Sequence, residues 1–270
     1  MRSASCALIW VATLLAPCEA YGADSTATDR ISASASGSTL TGTNGGAGES
    51  LGWLHNFDPD SLIILGAEHQ SISVAHWTFG SIAGALTLGS GDARYTLSAE
   101  AHEGAGDNGP RALHYSIAAA GITGTYFHRL SVLLEDRRID VDTTHGNLPK
   151  IGLSYLWSPH WLTSVSFADS VSGNLGTRLG SVRVDEYGTA VNVFGGLAYG
   201  PASPIVLNIE GDIVARGHTL REGYMGVSRS FAQTRHEVSL IADYADLSGS
   251  KKATLTLSYI FHIQAVGGGR

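Results

Sequence analysis

The sequence predicts an all-β fold: a transmembrane, antiparallel, up-and-down β-barrel of about 14 strands, with 12 as the alternative count. Three observations predict it. Many segments alternate apolar and polar residues with a period of two, the pattern of a strand with one apolar and one wet face. Beyond the leader described next, no apolar run reaches the roughly 18 residues that a membrane-spanning helix needs. The connections between the segments alternate between short and long, as they do around such a barrel.

The first residues have the pattern of a secretory signal peptide, because Arg2 precedes a short apolar run (6–15) and small residues follow at 16–20. Both cysteines, Cys6 and Cys18, lie in this leader, so we expect the exported chain to be stable without disulfides. The predicted organisation is a signal peptide over 1–20, an N-terminal segment over 21–28, a barrel over 29–262 and a flexible tail over 263–270.

The composition excludes several classes of protein. A formal net charge of -7 and a charged fraction of 15% provide no basic face for nucleic acid, so no nucleic-acid partner is expected. The 34 glycines and only two methionines argue against a helical membrane bundle. If the chain crosses a membrane, strands are therefore expected to cross it.

The last predicted strand shows the alternation most clearly. Its apolar face consists of Leu255, Leu257, Tyr259 and Phe261. Its polar face consists of Thr254, Thr256 and Ser258. Segments of this kind between turn signals number about 14. The predicted strands are 29–41, 50–57, 61–70, 76–88, 92–102, 112–126, 130–139, 149–157, 161–171, 190–200, 205–215, 221–231, 235–245 and 252–261.

Two kinds of connection separate these segments. The short connections are at 58–60, 89–92, 127–129, 158–160, 201–204 and 232–234. The longer ones are at 42–49, 103–111, 140–148, 172–188 and 247–251, with two less distinct members near 70–74 and 217–220. Barrels of the bacterial outer membrane have short periplasmic turns and longer extracellular loops, so we expect both chain ends in the periplasm.

Aromatic residues gather beside the short connections. They are Phe57, Tyr126, Phe127, Trp157, Trp161, Tyr199 and Phe231. Amphipathic rings favour the interface between membrane and water, so the pattern predicts an aromatic girdle at one rim. The alternative, that aromatic residues favour strand ends in any β protein, stays open.

The segment Thr254 to Phe261 resembles the terminal assembly signal of outer-membrane barrels, a polar start leading to two aromatics, here Tyr259 and Phe261. Thr256 stands where that signal often has glycine, and nine residues follow Phe261. The resemblance implies insertion by the barrel-assembly machinery and contact with outer-membrane lipid and lipopolysaccharide; we expect a monomer. In size and simplicity the chain is also similar to YaiO-type barrels associated with exopolysaccharide export, which implies a glycan as a partner.

Polar residues of the predicted strands are expected to face the lumen. The candidates are Glu100, Asn208, Glu210, Asp212, Glu237 and Asp243. Carboxylates on a wet lumen favour cations or neutral polar solutes over anions, so one hypothesis is a passive or accessory conduit for polar solutes or a secreted glycan. The alternative is that these residues are solvated without a role in transport.

One group of residues is a candidate for catalysis. His114 and Ser116 share a face of one strand, and Asp140 and Asp142 are expected roughly opposite them, as in an activated nucleophile. The His-x-Ser arrangement resembles that of outer-membrane lipid deacylases and phospholipases, which implies His114 as base and Ser116 as nucleophile. Those enzymes carry Asn or Glu about a dozen residues after the serine, where this chain has His128.

Three functions are therefore open: a conduit, a lipid hydrolase, and a barrel with structural or surface-interaction duties. No histidine spacing of a helical zinc site occurs, and the glycine-rich segment at 42–48 lacks the lysine and serine or threonine that a phosphate-binding loop requires. We expect no metal and no cofactor.

Overall fold

The computed structural model describes residues 27–41, 45–72, 75–108, 111–141, 144–189, 191–201, 219–231, 235–247 and 250–264. These residues form 14 strands in one closed antiparallel barrel, which confirms the predicted fold class and strand number. The strands are β1 (Ala27–Leu40), β2 (Gly46–Asp58), β3 (Ser61–Ile72), β4 (Ala75–Leu88), β5 (Ala93–Asn108), β6 (Arg111–Tyr126), β7 (Leu130–Val141), β8 (Thr144–Ser158), β9 (Trp161–Asp169), β10 (Arg178–Tyr187), β11 (Val191–Pro201), β12 (Thr219–Phe231), β13 (His236–Leu247) and β14 (Ser250–Gln264).

Each strand pairs with its neighbours in the chain, and β1 pairs with β14 to close the ring. Ile31 lies opposite Phe261 at this closure, and Ala35 lies opposite Leu257. No helix among the described residues is long and apolar enough to cross a membrane. We call the end where even-numbered strands connect to the next odd-numbered strand the turn end, and the opposite end the loop end.

Successive side chains of a strand point to opposite faces, so each strand gives one row to the lumen and one to the outer surface. On β14, Lys252 and Thr254 are buried inside, whereas Leu255 is more than half exposed outside. Every strand places at least one exposed large apolar residue on the outer surface. One from each strand, in order, is Ile31, Leu51, Leu65, Ile82, Leu97, Ile122, Leu134, Ile151, Val165, Val182, Val193, Met225, Leu240 and Leu255.

The ring contains a strand, β10, that the sequence pattern does not predict. The predicted loop over 172–188 is wrong, because β10 occupies most of it and pairs with both β9 and β11. Gly180 and Glu186 interrupt its outward row of valines, which hides the alternation. The strand predicted at 205–215 lies outside the described residues.

Two further predicted loops, at 103–111 and 140–148, are wrong in length. Only residues 109–110 separate β5 from β6, and only residues 142–143 separate β7 from β8. These stretches therefore belong to the strands themselves. Glu103, for example, is a polar residue within β5.

The inclusion of β10 also changes which end of the barrel some residues occupy. Of the predicted short turn at 201–204, Pro201 ends β11 at the loop end, and residues 202–204 lie outside the described residues. Tyr199 lies at the loop end for the same reason, so its predicted place in the girdle is wrong. The predicted girdle residues at the turn end are Phe57, Tyr126, Phe127, Trp157, Trp161 and Phe231.

Apolar side chains fill the lumen near the loop end. We call this group the apolar cluster: Trp77, Phe79, Tyr115, Ile117, Ile139, Val141, Leu148, Ala168, Leu175, Leu220 and Ala245. Leu175 comes from the connection between β9 and β10, which folds back onto β8. The backbone N–H of Asn174 donates to the His145 carbonyl (2.9 Å), and the backbone N–H of Asn147 donates to the Ser172 hydroxyl (3.1 Å). These bonds hold Leu175 inside the barrel.

Two glycines of β5 make room for aromatic rings from β4. A Cβ atom on Gly104 would overlap the Phe79 ring, and one on Gly106 would overlap the Trp77 ring. The two rings stack with centroids 5.8 Å apart, and Tyr115 meets Phe79 edge-on at 4.9 Å. Such close packing fixes the positions of the three aromatic rings in the apolar cluster.

Replacing Trp77 by alanine is expected to lower the free energy of unfolding by about 3–5 kcal/mol, because the side chain is buried and its loss leaves a cavity. Urea unfolding in detergent, followed by far-UV circular dichroism, measures this loss. Trp161→Ala is the matched control, since that ring lies 44% exposed on the outer surface, and a much smaller loss is expected. Equal losses in the two variants would contradict the packing described here.

Candidate functional site in the lumen

Hydroxyl groups line the part of the lumen nearer the turn end. Serines and threonines on neighbouring strands hydrogen bond to one another inside the barrel. The pairs are Thr87 with Thr96 (3.1 Å), Thr125 with Ser131 (3.0 Å), Ser34 with Ser50 (2.7 Å) and Ser154 with Ser164 (2.9 Å). Such short side chains occupy little of the lumen and present donors and acceptors to a solute.

A belt of ionisable side chains lies next to the apolar cluster, on the turn side of it. We call it the charged belt: Glu68, Glu100, His102, Glu135, Arg137, Lys150, Arg183, Asp185, Glu222, Asp243 and Lys252. It holds six carboxyl groups and four lysine or arginine groups, so its formal charge with neutral histidine is 4 − 6 = −2. All of these groups are buried or half-buried, so each needs a partner of opposite charge.

One pair of strands supplies the best-formed ion pair in the belt. The Arg137 Nη2 atom donates to Glu100 Oε1 at 2.8 Å and lies 3.2 Å from Glu135 Oε1. The side chains of Arg137 and Glu100 are 8% and 6% exposed. His102 Nε2 lies 3.8 Å from the other Glu100 oxygen, and Lys150 interacts with Glu135. In this part of the belt the two acids balance the two bases.

A second ion pair lies on β10. The Arg183 Nε atom donates to both carboxyl oxygens of Asp185, at 2.9 Å each. Its Nη2 atom donates to Asp185 Oδ1 at 2.5 Å. The guanidinium also lies over the Phe194 ring, 5.0 Å from its centroid. This pair is balanced as well, so the net charge of the belt resides in its remaining members, Glu68, Glu222, Asp243 and Lys252.

A cavity that is continuous with the open lumen lies beside the belt. Its wall changes in character around the ring. The hydroxyl side chains of the wall include Ser32, Ser34, Ser50 and Ser258. Its apolar side chains include Ile64, Phe79 and Ile117, and its other polar or charged side chains include Glu68, Gln70, Glu100 and Arg137. A molecule held there meets hydrogen-bonding groups on one side and aromatic or aliphatic carbon on another.

The structure places the predicted lumen residues as follows. Glu100 and Asp243 lie in the charged belt, and Glu237 points into the lumen nearer the turn end of β13. Asn208, Glu210 and Asp212 lie outside the described residues. Of the assembly-signal residues, Thr254 and Thr256 face the lumen. Tyr259 and Phe261 face outward, where both contact His236.

The sequence pattern does not reveal the basic half of the belt. Arg137 sits in a run of four charged residues, 135–138, so polarity does not show which of them face the lumen. Arg183 lies in the strand predicted as a loop. Lys252 stood at the predicted start of β14, and its row of hydroxyl residues, which includes Thr254, was the signal that could have placed it inside.

The candidate catalytic residues lie on the outer surface near the loop end. His114 Nε2 is 3.3 Å from Glu103 Oε1, and both side chains are well exposed. Ser116 lies directly opposite Glu103 on one side and Asp140 on the other. His114 and Ser116 do not hydrogen bond to each other within the part of the chain that the structure describes, and Asp142 lies outside it.

No family model and no curated protein matches the chain. Among solved structures it is similar to the CymD monoaromatic hydrocarbon channel (TM-score 0.60, 10% identity, 89% of this chain and 90% of that one). It is also similar to the Pseudomonas putida toluene transporter TodX (0.58, 8%, 90% and 91%) and to a bacterial polysaccharide outer membrane secretin (0.51, 8%, 89% and 100%). At such identities the likeness shows a shared barrel fold.

Replacing Arg137 by methionine is expected to destabilise the barrel by about 3–5 kcal/mol, because Glu100 stays buried and loses the guanidinium that donates to it. Arg138→Met is the matched control, since that neighbouring side chain points outward and is exposed. Urea unfolding in detergent measures both. Adding Glu100→Gln to Arg137→Met should recover much of the loss, and a double variant as unstable as the single one would contradict the pairing.

Proposed function

We propose that the protein is an outer-membrane barrel whose lumen conducts small polar solutes. The observation that carries this proposal is the lumen wall, in which hydroxyls lead from the turn end to a cavity beside the charged belt. A wide barrel lined with polar groups keeps water inside, and solutes of matching polarity exchange with that water.

The outer surface supports placement in a membrane. All 14 strands expose large apolar side chains outward, far more than the surface of a soluble monomer carries. Trp157 and Trp161 mark the turn end, as interfacial aromatics do. We place the turn end in the periplasm and the loop end at the cell surface, with outer-membrane lipid and lipopolysaccharide around the barrel and the barrel-assembly machinery as the route of insertion.

The chemistry of the lumen supports a class of solute. Two of the similar structures are named for aromatic hydrocarbons or toluene, and the third for a polysaccharide. In this chain a hydrocarbon would have to strip water from the charged belt, which is costly. A neutral sugar or a short glycan instead finds hydroxyls, carboxyls and the rings of Phe79 and Tyr115 in the cavity. Neutral or cationic polar solutes are therefore favoured over hydrocarbons.

Planar-bilayer recording tests this proposal, and the variant Leu175→Gly sharpens it. Single-channel conductance is expected from the native protein. A larger conductance is expected from the variant, because Leu175 fills the lumen at the loop end. Val171→Gly is the control, since Val171 belongs to the same connection but is 70% exposed, and its conductance should equal that of the native protein. Silence of both the native protein and Leu175→Gly would reject the conduit.

A second candidate function is hydrolysis of outer-leaflet lipid. The observation in its favour is that carboxylates flank the His-x-Ser pair, with Glu103 against His114 and Asp140 opposite Ser116. A carboxylate that orients a histidine beside a serine is the arrangement of an activated nucleophile. All four side chains face outward, where lipid would lie.

Any lipid hydrolysis by the native protein in mixed micelles should fall by about 100-fold or more in His114→Ala and in Ser116→Ala, because general base and nucleophile are removed. His69→Ala is the control, an outward histidine near the loop end that hydrogen bonds to Thr78. Native protein without hydrolysis, or variants that keep it, would discard this candidate. If conductance is absent too, a structural or surface-interaction role takes precedence.

A further inference from the structure

We infer that Glu222, Asp243 and Thr254 form a cation-binding site inside the barrel. The inference deepens the proposed conduit and rests on it, because the cation reaches the site through the lumen. The site belongs to the part of the charged belt that has an excess of negative charge.

The three residues occupy adjacent strands. Asp243 on β13 lies directly opposite Thr254 on β14. Glu222 on β12 lies opposite Ala245, which is the next inward position of β13 toward the loop end. Side chains at such diagonal positions reach one another, and the carboxyl groups of Glu222 and Asp243 interact directly.

Oxygen atoms at this place are buried without partners. Among the described residues, Glu222 Oε1, both carboxyl oxygens of Asp243 and the Thr254 hydroxyl have no hydrogen-bond partner. Glu222 is 8% exposed and Thr254 is 6% exposed, so water compensates little. Two carboxylates in contact repel each other, and buried acceptors without a donor are costly. A cation between them would relieve both penalties.

The charge count supports the same conclusion. Glu68, Glu222 and Asp243 all interact with Lys252, and this group carries 1 − 3 = −2 formal charges. The rest of the charged belt is balanced, with Glu100 and Glu135 against Arg137 and Lys150, and with Arg183 against Asp185. The excess of negative charge in the belt therefore lies around one lysine.

The donor atoms define the class of ligand. All of them are oxygens, which suit hard cations and ammonium groups better than soft metals. No group of three or more Asp, Glu, His or Cys side chains in the described part of the chain is arranged to hold a metal. Two carboxyls and one hydroxyl therefore suit a primary ammonium group, or a divalent ion that keeps part of its water.

Access to the site is from the hydroxyl-lined part of the lumen. Leu220 and Ala245, both at most 2% exposed, occupy the inward positions on its loop side. On its turn side the inward residues of the same strands are Tyr224 and Ile241 together with the smaller Gly226, Ser239 and Thr256, and both Ser239 and Thr256 line the cavity. A cation therefore approaches from the turn end.

Thermal unfolding of the full protein in detergent tests binding without requiring conductance. At constant ionic strength, putrescine or calcium chloride should raise the unfolding temperature. Choline chloride should not, because its bulky head group has no N–H to donate. Glu222→Gln and Asp243→Asn should lose the increase, whereas Glu237→Gln, an inward carboxyl outside the site, should keep it. If the two carboxyl groups merely share a proton, neither cation raises the unfolding temperature of the native protein, and that result overturns the inference. An increase in unfolding temperature that both site variants retain overturns it as well.

Recording in bilayers separates this inference from the conduit. Putrescine should block the native current, and Glu222→Gln should weaken that block by about tenfold, the effect of losing one charged hydrogen-bond partner. Stabilisation by putrescine without any current would overturn the conduit and its route of access while supporting the binding site. Current without cation-dependent stabilisation would overturn the site and support the conduit.

Discussion

The closed ladder of backbone hydrogen bonds between β1 and β14 is the constraint on which the rest of the structure depends. In a hydrocarbon environment an unpaired N–H or carbonyl costs several kcal/mol, so a sheet with free edges is not stable there. Closure also fixes the two faces of every strand. Because the side-chain period is two, a slip of one residue at Ile31 and Phe261 would turn the serines of β1 outward and its apolar residues inward.

Once the faces are fixed, the composition of the inward rows determines the character of the lumen along its length. Serine rows leave space near the turn end, and aromatic and aliphatic rows fill it near the loop end. The ionisable residues lie on the turn side of the aromatic and aliphatic rows. There the apolar cluster limits water on one side, which strengthens pairs such as Arg137 with Glu100 and makes unpaired carboxyls costly. The apolar cluster and the charged belt are thus energetically linked.

The sequence was sufficient for the features that depend on local pattern. The alternation of Leu255 and Leu257 with Thr254 and Thr256 predicts both the strand and its two faces. It was not sufficient where a strand carries charge or glycine on its outward face, as β10 does at Gly180 and Glu186. Partners also could not be predicted: Arg137 meets Glu100 because the registers of β5, β6 and β7 bring them together across 37 residues. The sequence placed Asp243 in the lumen but gave no sign that Glu222 would lie beside it.

The two faces of one strand keep the candidate functions independent. On β6, His114 and Ser116 point outward, while the alternate residues Tyr115 and Ile117 belong to the apolar cluster. A substitution at Ser116 changes the outer surface without removing an atom from the lumen. Glu222 lies on β12, on a different part of the ring. Because hydrolysis would depend on outward residues and conduction on inward ones, losing one activity by substitution need not impair the other. The barrel wall itself therefore allows each function to be tested without disturbing the other.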